Sequence, residues 1–300
     1  MVVIFLTGCS TNEVSKKGVD GKINIVTTIA QIAEPLSVIG GDAVEVQSLM
    51  GPGIDPHLYT ATQGDIQKME QTDMIFYSGL HLEANMVKVF DEIGKSKPVL
   101  AIGEEISESE LLTDEEGAID PHIWFDIDLW KEALSAATEE MKKYSPDNSD
   151  YFEENKQAYF SKLDEFKHEA EEKISHIPED KRLLVTAHDA FGYFGRMLDL
   201  EVIGLQGLST EAEISLTDIE DTIDLLLAHE VPAVFIESSI NPASIKAVIE
   251  GAKKEGLDLA LGGELFSDAM GAKDSNEGTY LGMYEHNVNT IYDALTREGN

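Results

Sequence analysis

Residues 146–178 read PDNSDYFEENKQAYFSKLDEFKHEAEEKISHIP. Tyr159, Leu163, Phe166, Ala170 and Ile174 recur at steps of three and four, which lays one apolar stripe along a helix. Most other positions are Glu, Lys or Asp, so the remaining faces are solvated. Proline punctuates both ends. About thirty residues of helix span roughly 45 Å. Such a helix between two differently patterned blocks reads as a rigid connector. It divides the chain into a leading stretch 1–21, a first block 22–146, the connector 147–177 and a second block 178–300.

Both blocks alternate strand and helix. In the first, strands are expected at Lys22–Thr28, Val44–Met50, Met74–Ser78 and Val99–Ile102. Helices are expected up to Gly40-Gly41, from Thr62 to Gln71, from Leu82 to Ile93 and from Asp128 to Tyr144. Residues 103–118 are acidic and loop-like. In the second block, strands are expected at Leu183–Thr186, Glu201–Leu205, Ala233–Ile236 and Leu257–Leu261. Helices follow at Leu216–His229, Pro242–Glu255 and Tyr280–Arg297. This alternation implies crossover units on mainly parallel sheets, hence an α/β chain of two lobes with a cleft between them.

The apolar fraction of 42% is ample for buried cores. With 57 acidic against 22 basic residues the net charge is −35. Phosphate binding needs clustered Lys and Arg, so nucleic acid is excluded as a partner. The acidic residues are scattered, which fits a solvated coat better than a cation-gathering patch. The single cysteine rules out an internal disulfide. Cys9 stands in Leu6-Thr7-Gly8-Cys9-Ser10 after the apolar run Val2–Leu6. This resembles a bacterial lipobox, whose cysteine is lipid-modified after cleavage; the alternative is a free cysteine buried at a frayed terminus. The run is too short to span a bilayer and lacks the basic stretch of a whole signal peptide, so it reads as a signal remnant. Thr11 to Gly21 then form a tether to a membrane.

Asp-Pro-His occurs twice, ending at His57 and at His122. His57 follows the second strand and His122 opens a helix. His188 follows the first strand of the second block, and Asp268 follows its last strand in Gly-Gly-Glu-Leu-Phe-Ser-Asp. In open parallel sheets ligands sit beyond the carboxyl ends of strands. Proline before His57 and His122 restricts the local backbone. Three imidazoles and one carboxylate, with no thiolate, suit a borderline or hard dication rather than a soft metal or an iron–sulfur cluster. Spacing alone leaves open both a shared metal site and separate histidines. His81 lies near a strand end; His168 and His176 fall on the connector in solvent, and His229 and His286 read as ordinary surface or core residues.

Several stretches carry a resemblance: Asp-Pro-His-Leu-Tyr, Asp-Pro-His-Ile-Trp-Phe, Val-Thr-Ala-His-Asp-Ala-Phe-Gly-Tyr-Phe, Gly-Leu-Gln-Gly-Leu-Ser-Thr, Phe-Ile-Glu-Ser-Ser and Gly-Gly-Glu-Leu-Phe-Ser-Asp-Ala-Met-Gly. In this order they resemble the manganese/zinc substrate-binding lipoproteins of bacterial ABC importers, from about Lys22 to Leu295. The resemblance implies two lobes, each with a four-stranded sheet, bridged by one long helix. It implies metal ligands at His57, His122, His188 and Asp268, with Glu237 beside them. It implies a permease and an ATPase as partners, a monomer, and an extracytoplasmic location held by a lipid on Cys9. The loop before Asp120 is short and has no histidine, unlike that of many dedicated zinc members. With His rather than Glu at 188, the chain is more similar to members tied to manganese. Manganese therefore stands first, zinc second and ferrous iron third.

A zinc-specific carrier and a surface adhesin remain as alternatives. A metallohydrolase is disfavoured, because four protein ligands close the position that a catalytic water needs, and no His-Glu-x-x-His is present. The chain therefore reads as a carrier and not an enzyme.

Overall fold

The computed structural model describes residues 21–229 and 231–297; Cys9 and its flanks lie outside them. The first half builds a four-stranded parallel sheet in the order β2-β1-β3-β4, from β1 (Ile23–Thr27), β2 (Val44–Ser48), β3 (Met74–Tyr77) and β4 (Val99–Ala101). Helices α1 (Ala30–Gly40), α2 (Gln63–Gln71), α3 (Val87–Ile93) and α4 (Ile127–Tyr144) accompany these strands. Their ends follow local chemistry. Thr62 and Asp65 form a reciprocal capping box at the start of α2. Asp126 accepts from the amides of Asp128 and Leu129 at the start of α4, and Lys142 and Lys143 occupy its last turn.

The second half has β5 (Leu183–His188), β6 (Glu201–Gln206), β7 (Ala233–Glu237) and β8 (Ala260–Leu265). They hydrogen-bond as two parallel pairs, β5 with β6 and β7 with β8. β5 runs alongside β7, so the spatial order β6-β5-β7-β8 repeats that of the first half. Helices α6 (Gly192–Leu198), α7 (Leu216–His229), α8 (Ala243–Lys254) and α9 (Tyr280–Leu295) complete it. The long helix α5 (Ser149–Ser175) joins the halves. Its 27 residues correspond to about 40 Å.

Two expectations from the sequence are corrected. The stretch expected as one helix from Leu82 to Ile93 begins with a 3-10 turn, Ala84–Met86, before α3. The preceding Gly79, Leu80 and His81 all have positive φ, which breaks a helical entry. The last strand, expected at Leu257–Leu261, begins three residues later and ends four residues later, as β8. Gly262 and Gly263 discourage a strand in the sequence, yet they are what fits β8 in place. A Cβ on Gly262 would sit 2.5 Å from the Phe235 ring, and one on Gly263 would sit 2.5 Å from Thr290 Cγ2. Gly263 has φ +149°, beside the register shift between Val234 and Phe235.

The core explains why α5 is more than a spacer. One apolar cluster runs from β1 and β3 through α1, α4 and α5 to α9. On α5, Tyr159, Leu163, Ala170 and Ile174 of the expected stripe are buried, Phe166 is half-buried, and Phe152 extends the stripe toward the first turn. A second cluster fills the space between β5, β7, α7 and α8. Phe125, Phe191, Phe194 and Tyr284 pack ring against ring where the halves meet. Tyr280 and Tyr284 of α9 each donate, at 2.6 Å, to the backbone carbonyls of Trp124 and Phe125. These bonds fix the turn that begins at His122.

Candidate metal centre

The two Asp-Pro-His motifs fold alike. Asp55 Oδ1 accepts from the His57 amide, and Asp120 Oδ1 accepts from the His122 amide, each at 2.9 Å. An aspartate bonding the backbone two residues on is an Asx turn, and the intervening proline stiffens it. Beyond that turn the motifs diverge. Asp120 Oδ1 also lies 2.7 Å from His122 Nδ1. Asp55 instead sends Oδ2 across to the Thr210 hydroxyl, at 2.6 Å. The sequence singles out the histidines; the two aspartates, which set their backbones, were legible only as the invariant start of a repeated motif.

His188 ends β5, and its amide donates to Glu237 Oε1 at 2.8 Å. Its Nδ1 lies 2.5 Å from Glu237 Oε2, the end of β7. Gly204 is needed here, because a Cβ at that position would meet the Asp189 amide nitrogen at 2.3 Å. Asp268 follows β8. The carbonyl before it, Ser267 O, accepts from Gln31 Nε2 and Trp124 Nε1, both at 3.2 Å, so the first half holds the Asp268 loop.

The outcome is convergence. One donor atom from each of His57, His122, His188 and Asp268 lies within 4.8 Å of the others. His122 Nε2 is 3.3 Å from Asp268 Oδ1, and His188 Nε2 is 3.3 Å from Asp268 Oδ2. His57 Nε2 stands 3.3 Å from His122 Nε2 and 3.9 Å from Asp268 Oδ2. All four residues are buried, Asp268 to 1% exposure. Neither Asp268 oxygen nor His188 Nε2 has a hydrogen-bond partner. A buried carboxylate with no hydrogen-bond partner is costly unless a positive charge faces it. Nitrogen and oxygen donors turned inward on one point are what a divalent cation would satisfy.

The electrostatics agree. Burial leads in pushing His57 down to about 4, with the neighbouring imidazoles adding to it, so His57 is neutral at pH 7. For His122 burial works downward but loses to the Asp120 and Asp268 carboxylates, which raise it to about 9. For His188 burial is likewise outweighed by Glu237 and Asp268, which hold it well above its ordinary value. Burial favours a neutral Asp268, yet His188 and His122 hold it well below the carboxylate range. Positive charge on His122 and His188, held by Asp120 and Glu237 as well as Asp268, thus faces the Asp268 carboxylate when no metal is bound, and a dication would replace those protons.

The other histidines stay out of the cluster. His81 is exposed, in left-handed backbone, and lines a hollow of about 300 Å³ over His57 together with Leu80, Ile119 and Ser209. His168 is exposed and paired with Glu171, His176 and His229 are exposed, and half-buried His286 bonds to Glu264 O. Asp189, absent from the sequence reading, is pushed up by burial and by nearby Asp120.

Two α/β halves bridged by a long helix, with a His₃Asp cluster where they meet, define the class of proteins that hold a metal ion between lobes. The chain belongs to the family described as ZnuA, zinc-uptake complex component A, periplasmic, whose profile it matches over residues 25–294. It is similar to the manganese-binding lipoprotein MntA of Bacillus subtilis, at 46% identity over 97% of this chain and 95% of that protein. It is also similar to the zinc-binding protein TroA of Treponema pallidum, at 44% identity over 93% of this chain and 90% of that protein. The solved structure of periplasmic zinc binding protein TroA superposes with a TM-score of 0.90 at 44% identity, covering 92% of this chain and all of that one. The metal ABC transporter substrate-binding lipoprotein SloC of Streptococcus mutans is 31% identical over 94% of this chain. Among the described residues no helix is long and apolar enough to cross a membrane.

Proposed function

We propose that this chain captures one divalent cation and delivers it to the permease and ATPase of an ABC importer. In this reading His57, His122 and His188 each give Nε2 and Asp268 gives a carboxylate oxygen. The observation that carries the reading is Asp268, a buried carboxylate without hydrogen bonds, facing three imidazole nitrogens. Asp120 and Glu237 hold the far nitrogens of His122 and His188, which orients the rings and strengthens them as donors. The donor set distinguishes a carrier from a hydrolase, since four protein donors leave no open position for an activated water.

Manganese stands first as cargo and zinc second, with ferrous iron third. Intrinsic affinity at nitrogen-rich sites favours zinc, and the relatives named for manganese and for zinc are nearly equally similar. Manganese is favoured by His at 188 and by the short acidic loop before Asp120, which carries no histidine. The body comprises a lobe 22–146, a connector 147–177 and a lobe 178–300; it works as a monomer on the outer side of the membrane, anchored by a lipid on Cys9 through the tether Thr11 to Gly21.

Elemental analysis of protein equilibrated separately with manganese, zinc and ferrous iron tests the site. One ion per chain, lost in His188→Ala and in Asp268→Asn, is the expected result. Full occupancy in both variants would refute it. Analysis of the protein isolated from its native membrane decides which metal it carries.

A further inference from the structure

The four donors are not held equally. His122 and His188 each have a carboxylate behind the ring, Asp120 at 2.7 Å and Glu237 at 2.5 Å. Asp268 is held through the Ser267 carbonyl by two donors from the first half. His57 has no carboxylate behind its ring. It rides on a turn segment whose Gly51 to Ile54 and Leu58 are exposed. Its backbone is held by Asn85 Nδ2 on its carbonyl, at 3.0 Å, and by Asp55 on its amide.

Asp55 connects that turn to the other half of the molecule. Its second oxygen accepts from Thr210 Oγ1 at 2.6 Å. Thr210 belongs to the loop after β6, and Gln206 Nε2 donates to the Thr210 carbonyl at 2.8 Å and to the Ala212 carbonyl. Gln206 is itself the ladder partner of His188. One polar chain thus runs from the His57 amide through Asp55, Thr210 and Gln206 to the strand position beside His188. Asp55, Thr210 and Gln206 also line an open groove of about 660 Å³, so the link is reachable from outside.

We propose that the Asp55–Thr210 hydrogen bond is a strap that sets how fast the metal leaves. Resting on the metal-carrier reading above, the inference assigns His57 as the ligand that detaches first and Thr210 as a positioning residue that acts through Asp55. With the strap closed, His57 is pinned to both halves. With it open, the exposed turn swings out and takes one imidazole from the ion, while the three firmly held donors stay. Loss of one donor from a closed shell speeds dissociation; capture needs only the preformed remainder, so association changes little.

The test uses the full chain loaded with manganese or zinc, a chelator in excess, and stopped-flow detection of release. Thr210→Val keeps shape and removes the hydroxyl; Thr210→Ser restores it. Release about tenfold faster in Thr210→Val, with association within twofold and near wild-type release in Thr210→Ser, is the expected pattern for loss of one hydrogen bond to a charged acceptor. Asp55→Ala should accelerate release at least as much. Release within twofold of wild type in both Thr210→Val and Asp55→Ala would overturn the strap. If wild-type protein takes up neither metal, it is the carrier reading that fails, and the two failures are told apart by that control.

Discussion

Metal binding to this site should expel protons, and Asp120→Asn should remove one of them. Asp120 and Asp268 hold His122 up at about 9, against the downward pull of burial. At pH 7 the metal-free imidazole is therefore protonated, two units below its midpoint. Displacing that proton costs about 2.7 kcal/mol, or roughly 100-fold in apparent affinity relative to high pH. His188, held up by Glu237 and Asp268 against burial, contributes a second proton. Wild type should accordingly release close to two protons per ion at pH 7, and its affinity should rise with pH, the His122 share of the rise ending above about 9. Without the Asp120 charge, burial regains weight at His122 and its proton is held less tightly. Asp120→Asn should then release about one proton fewer and show a slope shallower by about one in log affinity against pH. Its affinity at any single pH is less telling, since loss of ring orientation costs about 10–100-fold in the opposite sense. Calorimetric titration in buffers of different ionisation enthalpy counts the protons directly. Equal counts for wild type and Asp120→Asn would refute the assignment. The same proton bears on stability. His122 is raised on folding, so its contribution to the metal-free fold is complete below about pH 6.5 and disappears as the pH climbs through about 9.

Asp268→Asn should abolish uptake at micromolar metal while the chain still folds, as read by circular dichroism with elemental analysis. Glu237→Gln should weaken binding about 10–100-fold and remove the second proton, measured by the same calorimetry. Tyr284→Phe removes the hydroxyl that donates to Phe125 O at 2.6 Å, and should cost about 1–3 kcal/mol in denaturant unfolding of the metal-free protein while leaving one metal per chain. Because α5 packs into one core with α1, α4 and α9, metal-free and loaded forms should differ by local shifts; a large hinge rotation between crystals of the two would contradict this.

The periodic parts of the fold were legible. The stripe from Tyr159 to Ile174 fixed the connector, and α7 begins and ends where the apolar pattern of Leu216–His229 begins and ends. What was not legible depended on partners distant in sequence. β8 passes through two glycines that a strand pattern rejects, and they make sense only against Phe235 and Thr290. The break at Gly79-Leu80-His81 is stabilised by Glu83, a buried carboxylate that accepts from the Ser78 and Gly79 amides and the Thr28 hydroxyl. For the site, residue types named the four donors, but spacing alone did not distinguish a shared site from separate histidines. Nothing in the sequence told the two Asp-Pro-His motifs apart: Asp120 turns to its own histidine, whereas Asp55 reaches a threonine 155 positions away.

Gln31 holds the carbonyl beside Asp268 across 236 residues of chain. A ribosome that has made β1 to β7 has produced three imidazoles whose shared carboxylate does not yet exist. The four donors can meet only after Asp268 has been added, and α9, whose Tyr280 and Tyr284 hold the turn at His122, is made later still.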